Sequence, residues 1–239
     1  MSRLDEATPR DHALLFAEIL FQAGTPVEEL RALRVPMRYG KAATVSGYFD
    51  NPNDFAAAAM ELSEKRKAPA VYCTLNRLDP RLLGRACNRL QDHPQATTAD
   101  GDVLSPLWIP LDLDPARPTG VSATDEEHEA ALDLALSIKA ALLGEGHPAP
   151  VLADSGNGAH LLYPAPPNAT PEAVKAVLEA LARRFSTTTV KVDTAVFNAA
   201  RIWKVPGTWC RKGDNTPAQP HRRSRLLEVP EYLCRTVQP

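Results

Sequence analysis

The chain has 239 residues, long enough to bury a full core as one large domain or two small ones. Hydrophobic residues make up 44% and charged residues 23%, and no apolar run approaches the length of a bilayer span, so the composition is that of a globular protein without membrane segments. A formal net charge of −2 argues against a wholly basic nucleic-acid binder, and the N-terminal Met-Ser-Arg-Leu-Asp-Glu lacks a signal-peptide apolar region, so a cytoplasmic location is expected. In chain order, residues 8–34 read as helical through Leu14, Leu15, Ile19 and Leu20, then Leu30 and Leu33, with a break at Gly24-Thr25-Pro26. Residues 1–38 are accordingly taken as an N-terminal helical segment. A strand follows near Ala43–Tyr48. Asn53-Asp54 then caps an alanine-rich helix with an apolar stripe of Phe55, Ala58, Ala59 and Leu62, and Ala70–Asn76 reads as a strand. Together these elements predict an α/β module over residues 39–105. Arg81, Arg85 and Arg89 recur every four residues, the spacing of one helix face, which is either solvated or a contact surface.

Residues 106–229 carry the more informative pattern. Leu107-Trp-Ile-Pro-Leu-Asp-Leu-Asp114 is an apolar strand ending in Asp-x-Asp, and strand alternation puts Asp112 and Asp114 on one face. Such a pair either caps a turn or offers hard oxygen ligands to Mg²⁺ or Mn²⁺. A Pro/Gly turn leads to Thr124-Asp-Glu-Glu127, a capping box opening a helix with Ala131, Leu132, Ala135, Leu136, Leu142 and Leu143 at helical spacing and Gly144 as its stop. A strand over Pro150–Asp154, the turn Ser155-Gly-Asn-Gly158 and a strand over Ala159–Tyr163 come next. Thr170-Pro171 opens a second helix bearing Val174, Val177, Leu178, Leu181 and Phe185, and a last strand holds Val190, Val192 and Asp193. The order β-α-β-β-α-β is that of split ferredoxin-like and RRM-like modules, giving an α+β fold whose second module packs on the first across a cleft. There is no repeat, no low-complexity tract and no long linker; residues 230–239 are read as a tail.

In that topology the first strand is flanked by the third and fourth, so Asp112, Asp114 and His160 meet at one end of the face the helices leave open. Asp193 joins them if the fourth strand continues past it toward Phe197, and the longer strand is expected. Ser155-Gly-Asn-Gly158 is either a plain hairpin or a turn whose small Gly156 and Gly158 let backbone amides approach a triphosphate, with His160 donating a further hydrogen bond. Asp154 and Tyr163 are read as structural. Residues 201–225 hold Arg201, Lys204, Arg211, Lys212, Arg222, Arg223 and Arg225 against Asp214, a basic run that either lies along phosphates or is a solvated face. Pro110 removes a ladder donor and suggests an edge or bulge. Cys73, Cys87, Cys210 and Cys234 are scattered, so neither a disulfide framework nor a zinc site is expected.

The Asp-x-Asp strand, Ser155-Gly-Asn-Gly-Ala-His160, Asp193 and Arg201-Ile-Trp-Lys-Val-Pro-Gly-Thr208 with Lys212-Gly213, in this order, resemble the archaeo-eukaryotic primase superfamily. The match looks closest to the primase-polymerase branch of phages, plasmids and mobile elements, often fused to a helicase, and covers residues 39–225. The resemblance implies a DNA primase-polymerase that uses nucleoside triphosphates and two Mg²⁺ or Mn²⁺ ions held by Asp112, Asp114 and Asp193. It also implies that Ser155, Gly156, Asn157, Gly158 and His160 face the nucleotide, and that Arg201, Lys204 and Lys212 bind nucleotide or strand. In that family the first module covers the template, which points to Asn76, Arg77, Arg81 and Arg85 as contacts to single-stranded DNA. The zinc-binding insert of many primases is missing from the sequence. Two other readings remain, a non-catalytic RRM-like replication or origin-binding module and a metal-dependent nuclease; an acidic cluster facing phosphates disfavours the first, and a triphosphate-type turn the second.

Overall fold

Two antiparallel five-stranded sheets organise the computed structural model, which describes residues 4–234 and defines a mixed α+β protein. The predicted tail falls partly outside it, at 235–239. The first half runs α1 (Pro9–Gln22), β1 (Glu28–Val35), β2 (Ala43–Phe49), α2 (Pro52–Met60), β3 (Val71–Thr74), β4 (Arg77–Leu78), β5 (Gln91–Asp92) and β6 (Val103–Ser105). Thr8 and Asp11 form a reciprocal capping box at the start of α1, and Asn51, rather than the expected Asn53-Asp54, caps α2. The second half runs β7 (Trp108–Pro115), α3 (Asp125–Gly144), β8 (Val151–Asp154), β9 (Ala159–Pro164), α4 (Pro171–Phe185), β10 (Val190–Val192), β11 (Ile202–Lys204), β12 (Trp209–Cys210), β13 (Arg222–Arg223), β14 (Arg225–Glu228) and α5 (Glu231–Cys234). The β-α-β-β-α-β order is present as β7 to β10.

The second sheet has the order β10-β7-β9-β8-β14, so β7 lies between the third and fourth strands of the motif as expected. The first has the order β11-β3-β1-β2-β5. β11 therefore leaves the second half of the chain and completes the first sheet, stitching the two modules together. One continuous core runs through both, from Phe16, Leu30, Phe49 and Phe55 to Leu111, Leu113, Ile138, Leu161 and Leu178.

Several expectations are corrected. Residues 28–35 are a strand, not helix: Glu-Glu-Leu-Arg-Ala-Leu-Arg favours helix by propensity, but β1 is paired on both edges, by β2 and β3, and that long-range pairing overrides the local preference. On the helices, Leu136 (47% exposed), Leu143 (50%) and Val177 (39%) face outward, while His128 and Ile138 are buried instead. Arg81 and Arg85 lie in a short 3-10 turn, Pro80–Arg85, capped by Asp79; Arg89 is beyond it, so the three do not share a helix face. Pro110 produces no bulge. It is in register with Leu162 of β9, and because Asp112 turns its carbonyl toward the β10 side, Pro110 turns its missing donor the same way, where β10 reaches only residues 113–115.

Candidate active site

β7 exposes Asp112 and Asp114 on the face away from the helices, since Leu111 and Leu113, the intervening residues, are fully buried. Asp154 marks the opposite face. It is in register with Ala159, itself across from Leu113, and its carboxylate meets His128 Nε2 of α3 at 2.8 Å, so it serves packing as read from the sequence. His160 stands directly across from Asp112, Nε2 lying 3.5 Å from Asp112 Oδ1. Its ring is buried and stacks, tilted by 34°, on Trp203 of β11 with centroids 4.0 Å apart. The histidine is thus wedged between the two sheets.

Asp193 arrives by a different route from the one expected. β10 stops at Val192, and Asp193 instead caps a 3-10 turn over Thr194–Phe197, its Oδ1 accepting from the Ala195 amide at 2.7 Å. The antiparallel register, Val190 on Pro115 and Val192 on Leu113, nevertheless brings it beside Asp112, whose carbonyl accepts from the Asp193 amide at 2.8 Å. The longer strand is wrong; the neighbourhood it was meant to secure is right, because the strand begins at the very end of β7.

Each carboxylate rests on its own basic side chain. Asp112 faces His160, Asp193 Oδ2 is 3.8 Å from Arg201, and Asp114 Oδ1 is 3.3 Å from Arg117 Nη2. Burial pushes the Asp112 carboxyl up, but the His160 hydrogen bond and the charges of His160, Lys212 and Arg201 more than offset it and leave it below its ordinary value. Asp114 goes the other way. Burial and then the charge of Asp112 raise it, against weaker opposition from Arg117 and Lys212.

The remaining cations come from β11 and the loop after β12. Lys204 is buried, donates to the Trp209 carbonyl and lies 5.9 Å from the ring of Tyr72, its partner across β3. Burial, reinforced by Arg211 and Lys212, brings its ammonium down to about 8. Tyr72 is pushed up to about 12, by burial and then by Cys210, Asp112 and Asp114, which places its hydroxyl within the influence of the carboxylates. Tyr72 and Arg117 escaped the sequence reading. Alternation along Val71-Tyr72-Cys73 was the available signal for the first; a cation three residues after Asp114 was a weak one for the second.

The turn after β8 is turned inward. The Gly156 amide donates to Asp154, the Gly158 amide to Ser155 Oγ, and the Ser155 amide to the Gly158 carbonyl. Asn157, 2% exposed, accepts from the Ala123 amide at 2.8 Å and donates to Cys210 Sγ. The glycines answer to packing inside the protein: a Cβ on Gly158 would lie 2.2 Å from the Leu113 carbonyl oxygen, and one on Gly156, at φ +90°, 2.9 Å from Cys210 Cβ. The amides expected to cradle phosphate are therefore engaged within the protein.

Asn76 is also engaged, its amide donating to the Ala199 carbonyl and its oxygen accepting from the Leu107 amide, which fixes the start of β7. Arg85 bonds Tyr48 and Asp102, Arg81 folds back on Asp79 with its side chain 89% exposed, and Arg77 is exposed beside Gly24. The basic run is largely consumed internally: Arg222 pairs with Asp125, Arg223 with Glu64 and Arg225 with Asp154.

Among the described residues no three acidic, histidine or cysteine side chains are already gathered into an ion-sized cage. In kind, however, the donors fit a divalent cation: hard oxygens share one exposed edge, and mutual repulsion of Asp112 and Asp114 is what such an ion would relieve. Binding would exchange the basic side chains that now hold these carboxylates.

No protein-family model matches the sequence, and no curated protein matches it. Among solved structures, the chain is similar to the primase RepB′, with 12% identity and a TM-score of 0.49 over 91% of this chain; it spans 56% of that one. The polymerase domain of Mycobacterium tuberculosis Ligase D in complex with DNA matches at 16% identity and a TM-score of 0.48, covering 95% of this chain and 86% of the other. The catalytic domain of RepB′ in complex with initiator DNA gives 14% identity and a TM-score of 0.44, over 92% and 86%. By name these neighbours are a primase and a polymerase domain. The likeness is one of overall arrangement.

Proposed function

We propose that this chain is a DNA primase-polymerase, a nucleotidyltransferase that makes or extends primers on single-stranded DNA from nucleoside triphosphates with two Mg²⁺ or Mn²⁺ ions. The observation that carries the reading is the placement of Asp112, Asp114 and Asp193 along one edge of the open face, with His160, Arg201, Lys204 and Lys212 around them. An acidic cluster rimmed by basic side chains suits a metal-bound polyphosphate, whereas a surface that only held DNA would be weakened by carboxylates at its centre. When bound there, such ions would supply activation of the attacking 3′ oxygen and neutralisation of the departing pyrophosphate.

The protein's own part is positioning and charge. Asp112, Asp114 and Asp193 hold the ions. His160, fixed by Trp203, donates to a phosphate oxygen, while Arg201, Lys204 and Lys212 balance the triphosphate; with its ammonium near 8, Lys204 is still charged at neutral pH. Ser155, Gly156, Asn157 and Gly158 act in nucleotide binding by setting the register of the strand that carries His160. Arg77 and Arg81 are the accessible template contacts; Asn76 and Arg85 support the surface from behind.

The test is incubation of the pure protein with unprimed single-stranded DNA, Mg²⁺ or Mn²⁺ and labelled ribo- or deoxynucleoside triphosphates, then with a primed template, using Asp112→Ala as the blank. Oligomers on unprimed DNA establish a primase, and extension of the primed template alone a polymerase. Silence in both, with DNA binding retained, selects the non-catalytic binding module, and release of nucleotides from labelled DNA without triphosphates selects a nuclease.

A further inference from the structure

Arg117 lies in the loop between β7 and α3, three residues after Asp114, yet its side chain is only 5% exposed. Its position does not depend on that carboxylate alone. Nε donates to the Val121 carbonyl at 3.3 Å and Nη1 to the Pro115 carbonyl at 3.2 Å, so the guanidinium is anchored in its own loop. The loop is fixed at both ends: the Ala116 amide donates to the Thr189 carbonyl, and Ser122 Oγ to the Lys212 carbonyl. The contacts to Asp114 Oδ1, at 3.4 Å and 3.3 Å, are longer than the 2.7–2.9 Å usual for charge-assisted bonds. Asp114 itself is half open to solvent, at 46%. A buried cation with backbone partners of its own thus stands against a half-exposed carboxylate.

We infer that Arg117 is a positioning residue that competes with a divalent ion for Asp114: it holds the carboxylate until an ion draws it off, and its fixed charge then faces the phosphates. This rests on the metal-binding role proposed for Asp112, Asp114 and Asp193. Two features separate it from a merely structural arginine. The guanidinium has two backbone partners, the Val121 and Pro115 carbonyls, that do not involve the Asp114 carboxylate, and Lys212, whose charge acts on the same carboxylates, is tied to the same loop through Ser122.

The experiment is calorimetric titration of the protein with Mn²⁺, first alone and then with a nucleoside triphosphate, in the wild type, Asp112→Ala and Arg117→Gln. Removing a partly exposed ion-pair partner is worth on the order of 1 kcal/mol, so Arg117→Gln is expected to bind Mn²⁺ alone roughly fivefold more tightly. Its affinity for the triphosphate in Mn²⁺ is expected to fall by a similar factor. Unchanged or weaker Mn²⁺ binding in a folded Arg117→Gln overturns the inference while leaving the metal site intact. Failure of the wild type to bind Mn²⁺ more tightly than Asp112→Ala overturns the reading beneath it. If Arg117→Gln does not fold, Mg²⁺ is titrated into the wild type and the Arg117 guanidinium followed by NMR: the Nη signals should move and the Nε–H signal, held by Val121, should not. A guanidinium indifferent to Mg²⁺ refutes the competition.

Discussion

Gly158→Ala tests the seam on which the site is built. Gly158 closes the turn before β9, and an added Cβ would lie 2.2 Å from the Leu113 carbonyl oxygen, 3.3 Å from its carbon and 3.4 Å from Pro115 Cδ. The oxygen is backbone at the end of a central strand, so it has no side-chain torsion through which to retreat. Relief requires β9 and β7 to separate by roughly 1 Å at Leu113 and Ala159, the register pair next to Asp112 and His160. Overpacking of this kind costs about 1–3 kcal/mol, and the weakened turn and ladder bonds add about 1 kcal/mol. For a chain of this size each kcal/mol moves the midpoint by about 2–4 °C, so thermal unfolding followed by circular dichroism should show Tm lower by about 5–15 °C. Mn²⁺ affinity should fall with it. Gly144→Ala is the matched control: Gly144 ends α3 with nothing within 4 Å of its added Cβ, so the change should be neutral or stabilising by up to about 1 kcal/mol. A Gly158→Ala protein that melts with the wild type would show that the close approach of the two strands does not constrain the site.

Asp193→Asn keeps the oxygen that caps the 3-10 turn and removes the charge, so nucleotide incorporation should vanish with little change in Tm or in single-stranded DNA affinity; a gel extension assay and a melt decide it. Trp203→Ala deletes a ring that is 3% exposed and supports His160, and chemical denaturation should show a loss of about 3–5 kcal/mol. Burial raises the Glu28 carboxyl from 4.5 to about 8, so the folded state binds the extra proton between those values, and stability present below pH 4.5 is lost as pH rises toward 8. Glu28→Gln should therefore gain on the wild type with pH, by up to about 1.4 kcal/mol per unit, in denaturation curves collected at pH 5 to 8; equal slopes in the two proteins would refute it. Arg81→Ala, at a residue whose side chain is 89% exposed, should weaken single-stranded DNA binding and reduce the salt slope by about one with unchanged Tm, measured by anisotropy.

The features legible in the sequence are local. Alternation placed Asp112 and Asp114 on one face, capping residues opened α3 and α4 where they begin, and the order of apolar runs predicted β-α-β-β-α-β, because these signals depend on neighbours within a few residues. The tertiary structure decided everything that depends on partners far along the chain. Glu28–Val35 became a strand through pairing on both edges, β11 crossed to the other sheet and brought Trp203 onto His160, and the register of three residues of β10 set Asp193 beside Asp112 without the long strand that seemed necessary. The basic run met the same fate. Its arginines looked free in sequence, but acidic partners up to 159 positions away claimed Arg222 and Arg223, while Arg117, inconspicuous in a Pro/Gly loop, was left standing against Asp114. Register and pairing over such separations are set by which surfaces bury each other, and no short window of sequence encodes that choice.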